Sequence, residues 1–91
     1  MAQRTVKVVA MIRIQNQAGH FVSITTDPPR QGIRAIGTPV TSNMTGRAHG
    51  YIIGYNADAM GFYDNRRYPY VVLWEDGYIE VYGSSSFKVG Q

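Results

Sequence analysis

The chain has no cysteine in its 91 residues. Disulfide scaffolds, thiolate zinc sites and thiol nucleophiles are therefore excluded. Lysine is nearly absent as well: only Lys7 and Lys88 interrupt a cation set otherwise made of arginine. Charged residues make up 16% and hydrophobic ones 44%, which is the balance of a packed domain and not of a disordered tail. No apolar run approaches the roughly 20 residues that a membrane helix needs. The start, Met1-Ala2-Gln3-Arg4, leads into a strand-like pattern without a small-residue cleavage site, so a secreted protein is not expected. Helical periodicity is missing too. No window carries an i, i+3, i+4, i+7 apolar stripe with caps. What remains is alternation punctuated by 10 Gly and 4 Pro. The length suits a single domain with one modest core.

From Val6 to Ile14 the alternation is clear, with Val6, Val8, Ala10, Ile12 and Ile14 on one face. Asn16-Gln17-Ala18-Gly19 punctuates it, and Phe21 to Thr25 reads as the returning strand, so residues 6–25 form a predicted hairpin. Asp27-Pro28-Pro29 ends it by removing two ladder donors. Ile33 to Ile36 has the composition of a short strand. A further strand starts near Val40, and Thr41 to Gly46 is loop-like. Gly50 to Tyr55 is a strand bracketed by glycines. Asn56 to Arg67 is a long connection, with at most one helical turn at Ala57–Met60. Tyr68 to Trp74 is the most β-prone stretch of the chain. Glu75-Asp76-Gly77 is a hairpin turn, Tyr78 to Tyr82 returns, Gly83 to Ser86 suits a 3₁₀ turn, and Phe87 to Val89 closes.

Two registers fit the 68–82 hairpin. A two-residue loop pairs Trp74 with Ile79 and places Tyr70, Val72 and Trp74 on the core face. A three-residue loop pairs Trp74 with Tyr78, and Val71, Leu73, Ile79 and Val81 then line the core. In that case Tyr70, Trp74, Tyr78 and Tyr82 make an outer aromatic row around Glu80. A one-residue slip exchanges the faces. The three-residue loop is preferred, because it gives aliphatic residues one face and amphipathic aromatics the other.

The order of pieces from Val40 to Val89 resembles an SH3-like small barrel. The segment Val71 to Tyr82, with its Glu75-Asp76-Gly77 turn between hydrophobic runs, is similar to the hairpin of Tudor-like and chromo-barrel domains. The resemblance implies an all-β fold: an SH3-like barrel over 40–89 preceded by the hairpin at 6–25, within one domain spanning 1–91. A narrower resemblance links Gly50 to Tyr55 and Gly77 to Tyr82 with the type II dihydrofolate reductases, which are tetramers of such barrels around a shared pore. There Ile79, Glu80, Val81 and Tyr82 would stand for a Val-Gln-Ile-Tyr strand. Glu80 departs from it, since four carboxylates around one axis would repel one another and the acidic tail of folate. The style of the sequence also resembles products of phage and other mobile elements.

Catalytic constellations are not evident. His20 and His49 lie in different elements without ligand spacing, so no metal site is expected. Ser84-Ser85-Ser86 has no nucleophile elbow around it and reads as a turn. Glu75, Asp76 and Glu80 are the only acidic cluster, and two of them belong to the turn. No glycine-rich phosphate loop is present. The aromatic set stands out: Tyr51, Tyr55, Phe62, Tyr63, Tyr68, Tyr70, Trp74, Tyr78 and Tyr82 crowd the second half, with Arg66-Arg67 between them. Read as structure, these are core side chains. Read as function, they are a contact surface rich in tyrosine and tryptophan.

The expected function is a non-catalytic binding or assembly module with no cofactor. It would engage a protein partner, or a copy of itself, through Tyr63, Arg66, Arg67, Tyr70, Trp74, Tyr78, Glu80 and Tyr82. The edge of the 6–14 strand offers a second mode, by strand addition. Nucleic-acid binding is the main alternative, with Arg66 and Arg67 on phosphates and Tyr63 or Trp74 stacking on bases. The net charge of +3 without a Lys/Arg tract speaks only weakly for it. A pore enzyme of the reductase kind and a virion structural subunit are the remaining alternatives. The expected location is the cytoplasm, that of a host or a virion if the chain is phage-encoded.

Overall fold

Seven strands and no helix make up residues 11–42 and 49–90, the part of the chain that a computed structural model describes. The protein is all-β. The strands are β1 (Met11–Gln15), β2 (Phe21–Thr25), β3 (Pro39–Ser42), β4 (Gly50–Asn56), β5 (Tyr70–Trp74), β6 (Ile79–Tyr82) and β7 (Phe87–Val89). All pairings are antiparallel and belong to one sheet. Residues 6–10 of the expected first strand, and 43–46 of the expected loop, lie outside the described residues.

β4 is the hub. One of its edges pairs with β5, while the other is shared between β3, at Gly50 and Tyr51, and β2, at Tyr55 and Asn56. A bulge at Ile53 lets one strand serve two cores. Ile52 and Tyr55 join the first, and Ile53 packs against the second. β2 crosses β4 at Gly54, where a Cβ would lie 2.5 Å from Ile24 Cγ2. Only glycine permits that approach.

The β5–β6 register is that of the three-residue loop: Tyr70 faces Tyr82, Val71 faces Val81, and Leu73 faces Ile79. Gly77 takes φ +86° in the turn, and Gly77 N–H donates to Trp74 O at 2.8 Å. The faces, however, differ from the expectation. Tyr70, Val72 and Trp74 are buried in the first core with Val40, Ile52, Tyr55 and Phe87, and Tyr78 and Tyr82 pack against it. Val71 and Val81 are buried in the second core under Val22 and Ile24 of the hairpin. β5 is thus covered on both sides. The aromatics fill the interior because a small sheet curled on itself has a large volume to occupy and few side chains to do it with.

Two other expectations are corrected. Ile33–Ile36 is not a strand. In place of a ladder, Arg34 N–H donates to Tyr70 Oη at 3.1 Å, and Tyr55 Oη donates to Arg34 O at 2.8 Å. Ala57–Met60 makes no helical turn, because Asn56 captures Asp58 N–H through its side chain, 3.0 Å away.

Candidate partner-binding surface

Residues 57–69 connect β4 to β5, and two buried polar side chains hold them. The Asn56 amide donates to Tyr63 O at 2.8 Å and to Tyr68 O at 3.0 Å, while Asn56 N–H reaches Pro69 O. The Asp64 carboxylate accepts from Arg66 N–H and Arg67 N–H at 2.9 and 3.1 Å. The N–H of Arg67 first, then that of Arg66 and the two guanidinium charges, hold Asp64 below the usual carboxylate range against its burial. Local side-chain bonds of this kind give a long loop one defined shape.

The tip of the loop points outward. Met60 is 86% exposed and Phe62 74%, and Tyr63 is exposed beside them. Phe62 and Tyr63 meet edge to face with ring centroids 4.9 Å apart, and Tyr63 meets the half-buried Tyr68 in the same way at 5.2 Å. The Arg66 side chain is 84% exposed, and Arg67 is exposed too.

The β1–β2 turn reaches the same region. His20 Nδ1 lies 2.7 Å from Glu80 Oε2, and its ring centroid lies 6.2 Å from that of Tyr63. Asn16, itself buried, donates to Ile79 O at 2.8 Å and to Glu80 Oε2 at 2.9 Å. Its Oδ1 accepts from Ala18 N–H and His20 N–H, both at 3.0 Å. Gln17 donates to Gly77 O at 2.8 Å, and Glu80 Oε1 accepts Val81 N–H at 3.1 Å. Side chains of the turn thereby cover the start of the outer edge of β6, the kind of edge that otherwise recruits foreign strands. A carboxylate facing His20 Nδ1 makes that nitrogen the donor.

Of the eight residues expected at the surface, Tyr63, Arg66 and Arg67 are brought together and exposed. Tyr78 and Glu80 are part-buried, with Tyr78 Oη 3.4 Å from Glu80 Oε2. Tyr82 is part-buried and its hydroxyl accepts Trp74 Nε1–H at 3.0 Å. Tyr70 and Trp74 are 3% and 1% exposed, so neither can touch a partner while the sheet is intact. Missing from those eight are Phe62, which the sequence placed in its aromatic set, and Met60, His20 and Asn16. For the first two the signal was there, since large apolar side chains in a loop next to Gly61 have no strand to bury them. For Asn16 and His20 there was none, because their partner Glu80 is 60 or more residues away.

Among the described residues no group of three or more His, Asp or Glu is placed to hold a metal ion, and no helix is long and apolar enough to cross a membrane. Comparison with protein-family models, curated proteins and solved structures gives no match.

Proposed function

We propose that this chain is a binding module of SH3-like architecture that engages a protein partner through the tip of its β4–β5 loop. The observation that carries this reading is the pairing of exposure with order. Met60, Phe62 and Tyr63 stand in solvent on a loop held from beneath by Asn56 and Asp64. A pre-shaped apolar tip costs little entropy on binding, and exposed aromatic clusters mark interfaces. Arg66 and Arg67 flank the tip, so the complementary surface is an apolar pocket with an acidic rim. The strand order β7-β3-β4-β5-β6 supports the SH3-like part of the reading, with the β1–β2 hairpin as an addition that covers the second core.

The test is retention of a partner from native extract on immobilised protein. Wild type and a Tyr51→Ser variant, altered away from the loop, should retain the same protein. A Phe62→Ser, Tyr63→Ser variant with an unchanged unfolding midpoint should lose it. Retention by the double variant would refute the assignment. The same side chains suit base stacking with phosphate contacts from Arg66. Oligonucleotide binding that falls steeply with salt would replace the protein partner by a nucleic acid.

A further inference from the structure

The two outer edges on the hairpin side of the sheet are treated differently. The Ile79 carbonyl on the outer edge of β6 is covered by the side chain of Asn16, and the Gly77 carbonyl just before β6 by that of Gln17. β1 pairs with β2 only, and no described residue pairs with its other edge. The parity of the ladder shows which groups face outward. Asn16 N–H bonds His20 O, and Ile14 faces Val22 and Ile12 faces Ile24 in the same register. The even residues of β1 therefore turn their N–H and C=O groups toward β2. Those of Met11, Arg13 and Gln15 point to the open side.

Among the described residues this edge carries few of the usual guards. Met11–Gln15 holds no proline and shows no bulge. Its one charge, Arg13, is drawn back across the hairpin. Arg13 donates to Ser23 Oγ at 3.1 Å, lies 3.9 Å from Asp58 Oδ1, and sits 5.1 Å from the centre of the Phe21 ring. Two apolar side chains beside the edge stand in solvent, Met11 at 65% and Ile12 at 59% exposure. On the inner face Ile12, Ile24 and Ile53, with Thr25 and Thr26, line an open apolar pocket of about 190 Å³.

We propose that the β1 edge is a self-association site, at which a second copy of this chain adds its own β1 antiparallel. The occupant follows from the sequence of the strand. A two-fold axis through Ile12 sets Ile12 opposite Ile12 and Met11 opposite Arg13. The isoleucines then meet beside the apolar pocket, and the aliphatic stem of Arg13 lies against Met11. An axis through Arg13 would oppose two like charges, which disfavours that register. The chosen pairing lets the outward amides and carbonyls of Met11 and Arg13 close roughly four ladder bonds between the copies. The edge reaches the start of the β4–β5 loop at Asp58 but not the Met60, Phe62 and Tyr63 tip proposed to hold the protein partner, so either site can fail alone.

The test is sedimentation equilibrium over a wide concentration range, together with amide exchange followed residue by residue. Wild type should show a concentration-dependent dimer. The amides of Met11 and Arg13 should become protected as the dimer fills, while those of Ile12 and Ile14 are protected throughout. Ile12→Lys should weaken the dimer at least tenfold, and the Phe62→Ser, Tyr63→Ser variant should leave it unchanged. A monomer at every concentration would overturn the proposal and leave the edge to a strand from another protein. A dimer in which Met11 and Arg13 exchange as fast as in the monomer would overturn it as well. The exchange measurement uses wild-type protein and stands even if a variant fails to fold.

Discussion

Removing the Asn56 side-chain donors should unfasten the loop and weaken the whole domain. Asn56 is 1% exposed, and its amide spans three backbone groups: it donates to Tyr63 O and Tyr68 O and accepts Asp58 N–H. Asn56→Asp is the informative change, because it keeps the shape and the bond to Asp58. It replaces the two donor bonds by a carboxylate oxygen facing two carbonyl oxygens. Each lost bond costs about 1 kcal/mol net, and each buried group left unpaired about 1–3 kcal/mol. Water reaching the loosened loop lowers the upper end, so ~3 kcal/mol is the expected loss. That is a large part of the ~5–14 kcal/mol a domain of this length has in total. It corresponds to a fall in Tm of roughly 12–24 °C for a domain of this size. Urea unfolding followed through the fluorescence of Trp74, the only tryptophan, measures it at neutral pH. Asn56→Asp within about 0.5 kcal/mol of wild type, the range of an ordinary surface change, would refute the argument. The amide would then not be the donor to Tyr63 and Tyr68.

Three further outcomes follow from the same geometry. Trp74→Ala should cost about 3–5 kcal/mol, because it empties the first core and strands the Tyr82 hydroxyl. A denaturation midpoint near that of wild type would return Trp74 to the surface. Gly54→Ala should cost about 1–3 kcal/mol by overpacking against Ile24. Adding Ile24→Ala should recover part of the loss that Gly54→Ala causes, and purely additive losses would count against a clash at that crossing. Asp64 is held below its ordinary pKa of 3.8 in the folded state, so the unfolded chain takes up its proton first. Its contribution is complete above that value and is lost as pH falls through the lower folded value. Wild type should therefore lose more stability between pH 6 and pH 3 than Asp64→Asn does, and equal losses in urea titrations would contradict this.

The strands were largely legible in the chain because turn residues punctuate it. Glu75-Asp76-Gly77 marked the turn but left two registers open; the three-residue loop, preferred because it separates aliphatic from aromatic residues, is the register observed. The faces were not legible. Alternation separates core from solvent only when one side of a strand is wet. β5 is covered on both sides, so its aliphatic and aromatic rows are each a core and the pattern carries no sign. Sequence reasoning sent Tyr70 and Trp74 outward for that reason. The 33–36 stretch failed differently. Its partners are the hydroxyls of Tyr55 and Tyr70, and no local pattern announces a side chain that replaces a strand. At the surface, Arg66, Arg67 and Tyr63 could be found because they are neighbours in sequence. The Asn16–His20–Glu80 cluster joins the two ends of the described chain and needs the fold to exist before it appears.

Under the proposed function the partner sits on the β4–β5 loop tip. The most direct test of that placement is a photo-crosslinking amino acid at position 62, and separately at position 51, with each protein irradiated in native extract. Position 51 is half-exposed and lies away from the loop, on the strand that pairs β3 and β5. Position 62 should give one discrete adduct, competed away by excess wild-type protein, and position 51 none. An adduct from position 51 with position 62 silent would contradict that placement.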